Sequence, residues 1–278
     1  MPKRTTNFDK LTLSSDFLFK YVMHREHICK HFLEELLHTK IANISYLEVE
    51  KTIDVYPDSR GIRLDITVAD NNNIHYNIEM QVRNTVNTQT HESLLPKRTR
   101  YYQAMLDVAN LQKHQDFDVL PPTYIIFVCP FDFIGDNQRI YTFQKRCIEN
   151  PAIGLNDEST IIFLNTKSTK GLISSDIQSL YDYINNNTTI TSNFVKEVNN
   201  TVIAIKNDKK VRRAFMTYEM KMKDLRNEAL AEGKFEATYN DIKNLMSSFS
   251  CSIDKAMDAL KIPAENRQYY KDHLAKES

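Results

Sequence analysis

Residues 61–81 read Gly61-Ile-Arg-Leu-Asp-Ile-Thr-Val-Ala-Asp-Asn-Asn-Asn-Ile-His-Tyr-Asn-Ile-Glu-Met-Gln81, and this stretch decides the fold. Apolar residues occupy every second position on both sides of a short polar run. This alternation is typical of strands with one buried face. The polar run, residues 70–73, is typical of a turn, because short Asp and Asn side chains hydrogen-bond turn backbone and tolerate left-handed φ angles. The stretch therefore predicts a β-hairpin.

A turn centred on Asn72 determines which residues face each other across this hairpin. Asp65 then lies opposite Glu79, and Arg63 lies opposite Gln81. Facing carboxylates repel each other by up to ~1 kcal/mol, so we expect a compensating positive charge. A hard divalent cation is one candidate, since such ions bind carboxylate oxygens, waters and phosphates. From these residues alone, the alternative is a solvated polar face on which Arg63 neutralises both acids.

The rest of the first half of the chain places helices and strands around this hairpin. Capping serines and apolar spacing predict one or two helices up to about residue 38. The apolar run 123–129 is typical of a strand buried on both faces. The other predicted elements are a strand within 40–56, a helix over 91–112, and a hairpin of 139–147 with 160–165. The resulting α-β-β-β-α-β order predicts an α/β (α+β) core with a mixed sheet flanked by helices.

The C-terminal half is predicted to be mostly helical. We expect a core over 1–170, a helical extension over 171–233 and a small helical tail over 234–278, with Gly233 ending a helix. A seam at heptad spacing is formed by Val211, Phe215, Tyr218, Met222, Leu225 and Ala229. Such a seam packs on another helix, either of this chain or of a second copy, so a homodimer through the helical region is a candidate.

Four blocks of this sequence resemble the PD-(D/E)XK nuclease superfamily. The blocks are Asp16–Tyr21, Arg63–Ile66, Asn77–Gln81 and Arg98–Gln103. Together they are similar to the Rpn family of recombination-promoting nucleases, also called PD-(D/E)XK nuclease family transposases. The resemblance implies a restriction-endonuclease-like core that cleaves DNA phosphodiesters with Mg²⁺ or Mn²⁺, Ca²⁺ being a further candidate. It also implies a role in recombination, element mobility or defence.

The resemblance assigns roles to several acids. Asp65 and Glu79 would hold the metal ion, with the Met80 carbonyl as a third ligand. An acid from the first helix enters the active site in relatives of this fold, so Asp16 is a further candidate. On a helix alone, Asp16 would simply favour the positive end of the helix dipole.

The sequence departs from the wider superfamily at one position. Gln81 stands where a lysine contacts the nucleophilic water and the phosphate in many members, although the Rpn-like family commonly shows this replacement. An amide orients water but carries no charge. We therefore expect Arg63, Lys97 or Arg98 to supply the cation. The basic cluster of Lys97, Arg98 and Arg100 is also expected to contact DNA phosphates.

Composition sets the remaining limits. The chain has 278 residues, with 36 basic and 36 acidic side chains, so its net charge of zero gives no global bias toward nucleic acids. No apolar run reaches the ~20 residues that cross a bilayer, and residues 1–7 lack the apolar segment of a signal peptide. We expect no membrane association and a cytoplasmic location. The four cysteines are scattered, which argues against a zinc site or a disulfide framework.

Two other functions remain open from the sequence. A catalytically silent DNA-binding accessory protein would keep the basic cluster and need no metal ion. A helical protein-interaction module would depend on the heptad seam and the tail. A glycosidase is disfavoured, because carboxylates directly across a hairpin lie closer than the ~5–5.5 Å such enzymes use.

Overall fold

The computed structural model describes residues 7–47, 64–187, 189–190 and 192–277. Eight α-helices lie in these ranges: α1 (Asp16–Met23), α2 (Glu26–Leu37), α3 (Leu95–Asn110), α4 (Ser175–Ile184), α5 (Asn193–Asn207), α6 (Lys209–Phe249), α7 (Ile253–Ala259) and α8 (Ala264–Glu277). Six strands lie in the same ranges: β1 (Ile44–Tyr46), β2 (Ile66–Asp70), β3 (His75–Met80), β4 (Thr123–Cys129), β5 (Ile140–Phe143) and β6 (Ser159–Asn165). The chain divides into two compact units, Met1–Arg212 and Arg213–Ser278.

The six strands form one mixed sheet in the order β1-β2-β3-β4-β6-β5. Strand β4 runs parallel to β3 and β6, and the other pairs are antiparallel. With α1 packed against β3 and α3 against β4, helices flank this sheet. The predicted α/β class is confirmed, and so is the predicted hairpin of β5 with β6. Among the described residues, no helix combines the length and apolarity that crossing a membrane requires.

The hairpin of β2 and β3 has the predicted register. Ile66 pairs with Ile78, and Thr67 pairs with Asn77. Strand β2 begins at Ile66, so Asp65 directly precedes it. Arg63 lies outside the described residues, as does the part of the predicted strand within 40–56 that follows residue 47.

The turn between these strands is organised by the Asp70 carboxylate. Its Oδ1 accepts hydrogen bonds from the backbone N–H groups of Asn72 (2.8 Å) and Ile74 (2.9 Å). Its Oδ2 accepts the hydroxyl of buried Tyr76 at 3.0 Å. Asn73 adopts the left-handed conformation with φ 58°, which Asn tolerates better than most residues. One side chain therefore fixes the turn that sets the register.

The expectation of half-buried hairpin strands is wrong. All six residues of β3 are buried, including the polar ones. Helix α3 contributes an apolar cluster with β4: Leu95, Tyr102, Met105, Leu106, Ile125, Phe127 and Cys129. Glu79 and Asn77 lie beside Phe127 and Ile125 in the sheet register. The face that alternation marked as polar is thus covered by a helix.

The long helix α6 differs from the expectation at Gly233. This glycine lies inside α6 and does not end a helix. A single interior glycine costs only about 1 kcal/mol relative to alanine, and its Ala, Glu and Lys neighbours are strong helix formers. In the predicted seam, Val211 and Phe215 are buried, whereas Met222 and Leu225 are exposed.

Replacing Asp70 should destabilise the protein more than replacing another residue of the same turn. Asp70→Ala should lower the free energy of unfolding by about 1–3 kcal/mol, because two backbone donors and a buried hydroxyl lose their acceptor. Urea unfolding followed by circular dichroism measures this loss. Asn72→Ala, at an exposed position of the same turn, should change it by less than ~0.5 kcal/mol. Equal losses in both variants would contradict the role of Asp70.

Candidate active site

Two acids meet at the end of the hairpin opposite to its turn. Asp65 directly precedes β2, and Glu79 lies in β3 with 2% of its surface exposed. The Asp65 backbone N–H donates to Glu79 Oε1 at 2.9 Å. The register confirmed for β2 and β3 therefore continues to this pair, and the structure brings together the two acids that the sequence placed opposite each other.

Burial disfavours the charged form of both acids. It raises the pKa of Asp65 to about 6, and repulsion from the Asp16 carboxylate adds to this rise. Lys20, Arg98 and a backbone hydrogen bond from Met80 oppose it. Burial also raises the pKa of Glu79 well above its ordinary value, and the Asp65 charge raises it further. The pair is an acidic site in need of positive charge.

Arg98 is the candidate cation that the structure places beside these acids. Its Nη2 lies 3.5 Å from Glu79 Oε2, and its Nη1 donates to Gln81 Oε1 at 2.6 Å. Nε and Nη2 both donate to the Tyr102 hydroxyl, at 2.9 Å and 2.5 Å. The guanidinium also lies over the Tyr102 and Phe127 rings, 4.9 Å and 5.4 Å from their centroids. Stacking and hydrogen bonds thus hold this charge in place.

The other predicted basic residues lie elsewhere. Lys97 and Arg100 neighbour Arg98 on α3, but their side chains are exposed. Gln81 is held from two directions, because its Nε2 also donates to the Arg83 carbonyl at 2.5 Å. Of the three basic residues of this cluster, Arg98 therefore faces the acids, whereas Lys97 and Arg100 face away from them.

Two residues near the acids were missed by the sequence analysis. Lys20 lies in α1 and lowers the pKa of Asp65 through its charge, from the same helix as Asp16. Tyr102 lies in α3 and accepts hydrogen bonds from Arg98. A four-residue spacing relates Asp16 to Lys20 and Arg98 to Tyr102, and it puts each pair on one helix face. This spacing is the sequence feature from which the roles of Lys20 and Tyr102 could have been predicted.

A separate group of possible metal ligands lies on α2 and α4. Within the described ranges, His31, Glu35 and Asp176 form the one group of three His, Cys, Asp or Glu side chains whose ligand atoms lie within 4.8 Å of one another. His31 Nε2 is 2.8 Å from Asp176 Oδ2, and the His31 ring packs on Phe194 with centroids 4.4 Å apart. These contacts cross-link three helices of the first unit.

The fold and this geometry define a class: an α/β protein with a mixed sheet and a pair of facing acids, one half-buried and one buried, beside an arginine. A family model described as PD-(D/E)XK nuclease family transposase matches residues 13–248. The chain belongs to this family, which confirms the resemblance seen in its four sequence blocks. The comparison with curated proteins found no match, and neither did the comparison with solved structures.

The acidic pair should make stability depend on pH. The folded state binds a proton at Asp65 with a pKa of about 6, against ~3.9 when unfolded. Folded protein therefore binds more protons between these values, and its stability falls as pH rises through them. The loss from Asp65 should be on the order of 1–3 kcal/mol, and Glu79 should extend it to higher pH.

Urea unfolding in EDTA at a series of pH values checks this expectation. The doubly substituted protein, Asp65→Asn with Glu79→Gln, should lose most of the fall in this range and be more stable than the wild type at pH ~8. A fall of the same size in the double variant would show that other groups cause it.

Proposed function

We propose that this protein is a metal-dependent DNA endonuclease whose active site is built on Asp65 and Glu79. Membership in the PD-(D/E)XK nuclease family supports nuclease activity. The observation that carries the proposal is the contact between half-buried Asp65 and buried Glu79, two facing acids with raised pKa values. Such a pair is costly to keep ionised in a fold unless positive charge is brought to it.

The donor set fits a hard divalent cation. Mg²⁺ is usually bound by one or two carboxylates together with waters and substrate phosphates, and Mn²⁺ and Ca²⁺ accept the same oxygen ligands. Asp65 and Glu79 would hold the ion. The Met80 carbonyl remains a proposed third ligand, and the Met80 backbone already contacts the Asp65 carboxylate. When bound, the ion lowers the pKa of a coordinated water and polarises the scissile phosphate.

Arg98 supplies the fixed positive charge that Gln81 lacks. Four of its five N–H groups already face Tyr102, Gln81 and Glu79, so the guanidinium would meet a phosphate oxygen with its charge and its remaining Nη1–H. Gln81 accepts one Arg98 N–H and, as an amide, orients the attacking water. Lys20 provides a second cation near Asp65, and Asp16 acts on Asp65 as a neighbouring charge.

The exposed cations of α3 serve a different purpose in this proposal. Lys97 and Arg100 contact DNA phosphates outside the reaction centre, which gives affinity without reading sequence. Through this activity the protein takes part in recombination, in element mobility or in defence.

We also propose that Met222 and Leu225, which are exposed on α6, pack against a second copy and form a homodimer.

A plasmid assay tests the proposed activity. The protein should nick or linearise supercoiled DNA with Mg²⁺ or Mn²⁺ and do neither in EDTA. Asp65→Asn and Glu79→Gln should each lower the rate at least ~100-fold, since even outer-shell partners of metal ligands contribute 10–100-fold. Both variants should keep the wild-type circular dichroism spectrum, because each amide has nearly the same size and shape as the carboxyl group that it replaces.

The same assay separates the alternatives. DNA binding without cleavage, indifferent to Asp65→Asn, would favour the silent accessory protein. A stable oligomer that neither binds nor cuts DNA would favour the helical interaction module. Either result would overturn the endonuclease proposal.

Arginine substitutions should separate catalysis from DNA binding. Arg98→Gln should lower the single-turnover rate at saturating DNA ~100-fold, and Arg98→Lys should lower it less, because the charge stays but the planar fork is lost. Arg100→Gln is the matched change on the exposed side. Arg100→Gln should mainly weaken DNA binding, measured by fluorescence anisotropy. It should also reduce the slope of the logarithm of affinity against the logarithm of salt concentration by about 1. The reverse pattern would contradict the role given to Arg98.

A further inference from the structure

Two buried polar side chains under α3 make no hydrogen bond of good geometry to any residue that the structure describes. Asn77 and Thr67 face each other across the hairpin, and they are 0% and 6% exposed. Among the described residues, neither side-chain amide atom of Asn77 has a hydrogen bond of good geometry, and neither does the Thr67 hydroxyl. Three buried polar atoms are therefore unsatisfied at one place in the sheet.

Such a place weakens a fold. A buried polar group without a partner loses its hydration and gains nothing in return. Buried groups of this kind are rare in native proteins. Leucine and valine have the same branched shape as asparagine and threonine and would occupy these two positions without that cost. Buried polar residues that make a protein less stable than apolar residues would at the same positions are expected at functional sites.

The surroundings of Asn77 indicate which group it serves. Side chains two residues apart on a strand share a face, so Asn77 lies between His75 and Glu79. His75 has other partners, since its ring nitrogens lie 3.2 Å from Asn73 Oδ1 and 3.5 Å from Asn110 Nδ2. On this shared face of β3 the Asn77 amide contacts the buried Glu79 carboxylate. Glu79 is thus the acid toward which this amide acts.

Glu79 has room for a further donor. Its Oε1 accepts the Asp65 N–H, and its Oε2 faces Arg98 at 3.5 Å. An ionised carboxylate offers about four acceptor sites, so one remains for a metal ion and one for an amide. A ligand carboxylate that is itself hydrogen-bonded is fixed in orientation, which strengthens metal binding.

We propose that Asn77 is a positioning residue that orients Glu79 for a divalent cation, with Thr67 supporting it from the neighbouring strand. The Asn77 Nδ2–H donates to the Glu79 carboxylate, and the Thr67 hydroxyl donates to Asn77 Oδ1. Both hydrogen bonds form when Glu79 holds the ion. This inference rests on the proposed metal site at Asp65 and Glu79.

Metal binding without DNA tests the inference. Mn²⁺ affinity is measured by electron paramagnetic resonance, and thermal unfolding is measured separately in EDTA. Asn77→Leu should lower Mn²⁺ affinity about 10-fold or more while leaving the melting temperature in EDTA equal or higher. Thr67→Val should shift both quantities in the same directions by smaller amounts. A residue with only a structural role would not produce this opposed pattern.

Two further proteins keep the result interpretable. Asn77→Ala covers the case in which leucine does not pack, and it should show the same loss of affinity. In a Glu79→Gln background, Asn77→Leu should have no further effect on the remaining Mn²⁺ binding, because the coupling runs through Glu79.

The outcomes distinguish this inference from the proposed function. Wild-type Mn²⁺ affinity in Asn77→Leu and Asn77→Ala would overturn the positioning role and leave the metal site standing. A lower melting temperature with unchanged affinity would assign Asn77 to a buried structural water instead. If Glu79→Gln itself left Mn²⁺ binding unchanged, both the metal site and this inference would fall.

Discussion

The constraint on which the rest of the core depends is a pair of facing acids, one half-buried and one buried, whose ionised forms the surroundings disfavour. Asp65 and Glu79 face each other at the end of the hairpin and share one hydrogen bond. Ionising them there costs free energy that the apolar surroundings cannot return. Arg98 offsets this cost, and it is held by the Tyr102 hydroxyl, two aromatic rings and Gln81. Helix α3 therefore covers the sheet and also carries Arg98, whose positive charge lies beside the acids on the covered face of the sheet.

The acids keep their positions because of a turn far from them. Strand side chains alternate between faces, so a register slip of one residue would move Glu79 to the opposite face of the sheet. Asp70 prevents this, since its carboxylate binds two turn amides and the Tyr76 hydroxyl. The chemistry of the turn and the chemistry of the site are therefore linked through the sheet, although no atom of Asp70 needs to approach the acids.

The sequence pattern predicted the features that depend on residues close together in the chain, namely the strands, the turn and the register of the hairpin. The alternation and the asparagine-rich turn were enough to predict the register and the meeting of Asp65 with Glu79, and the apolar run predicted β4. Pattern did not predict that β3 is buried on both faces, because alternation tells which residues share a face and not what covers it. It left Lys97 and Arg98 equal for the same reason, since only the orientation of α3 on the sheet separates them. Gly233 was misread because a long helix absorbs one unfavourable residue.

The departure at Gln81 and the presence of Arg98 are one feature. Gln81 offers a carbonyl oxygen, and Arg98 donates to it at 2.6 Å. A lysine at position 81 has no acceptor, and its ammonium would stand against the guanidinium as a like charge. In this geometry an arginine brought in from α3 and a lysine at position 81, directly after β3, would therefore repel each other. Gln81 avoids this repulsion, because its amide oxygen accepts a hydrogen bond from the Arg98 guanidinium and adds no second positive charge.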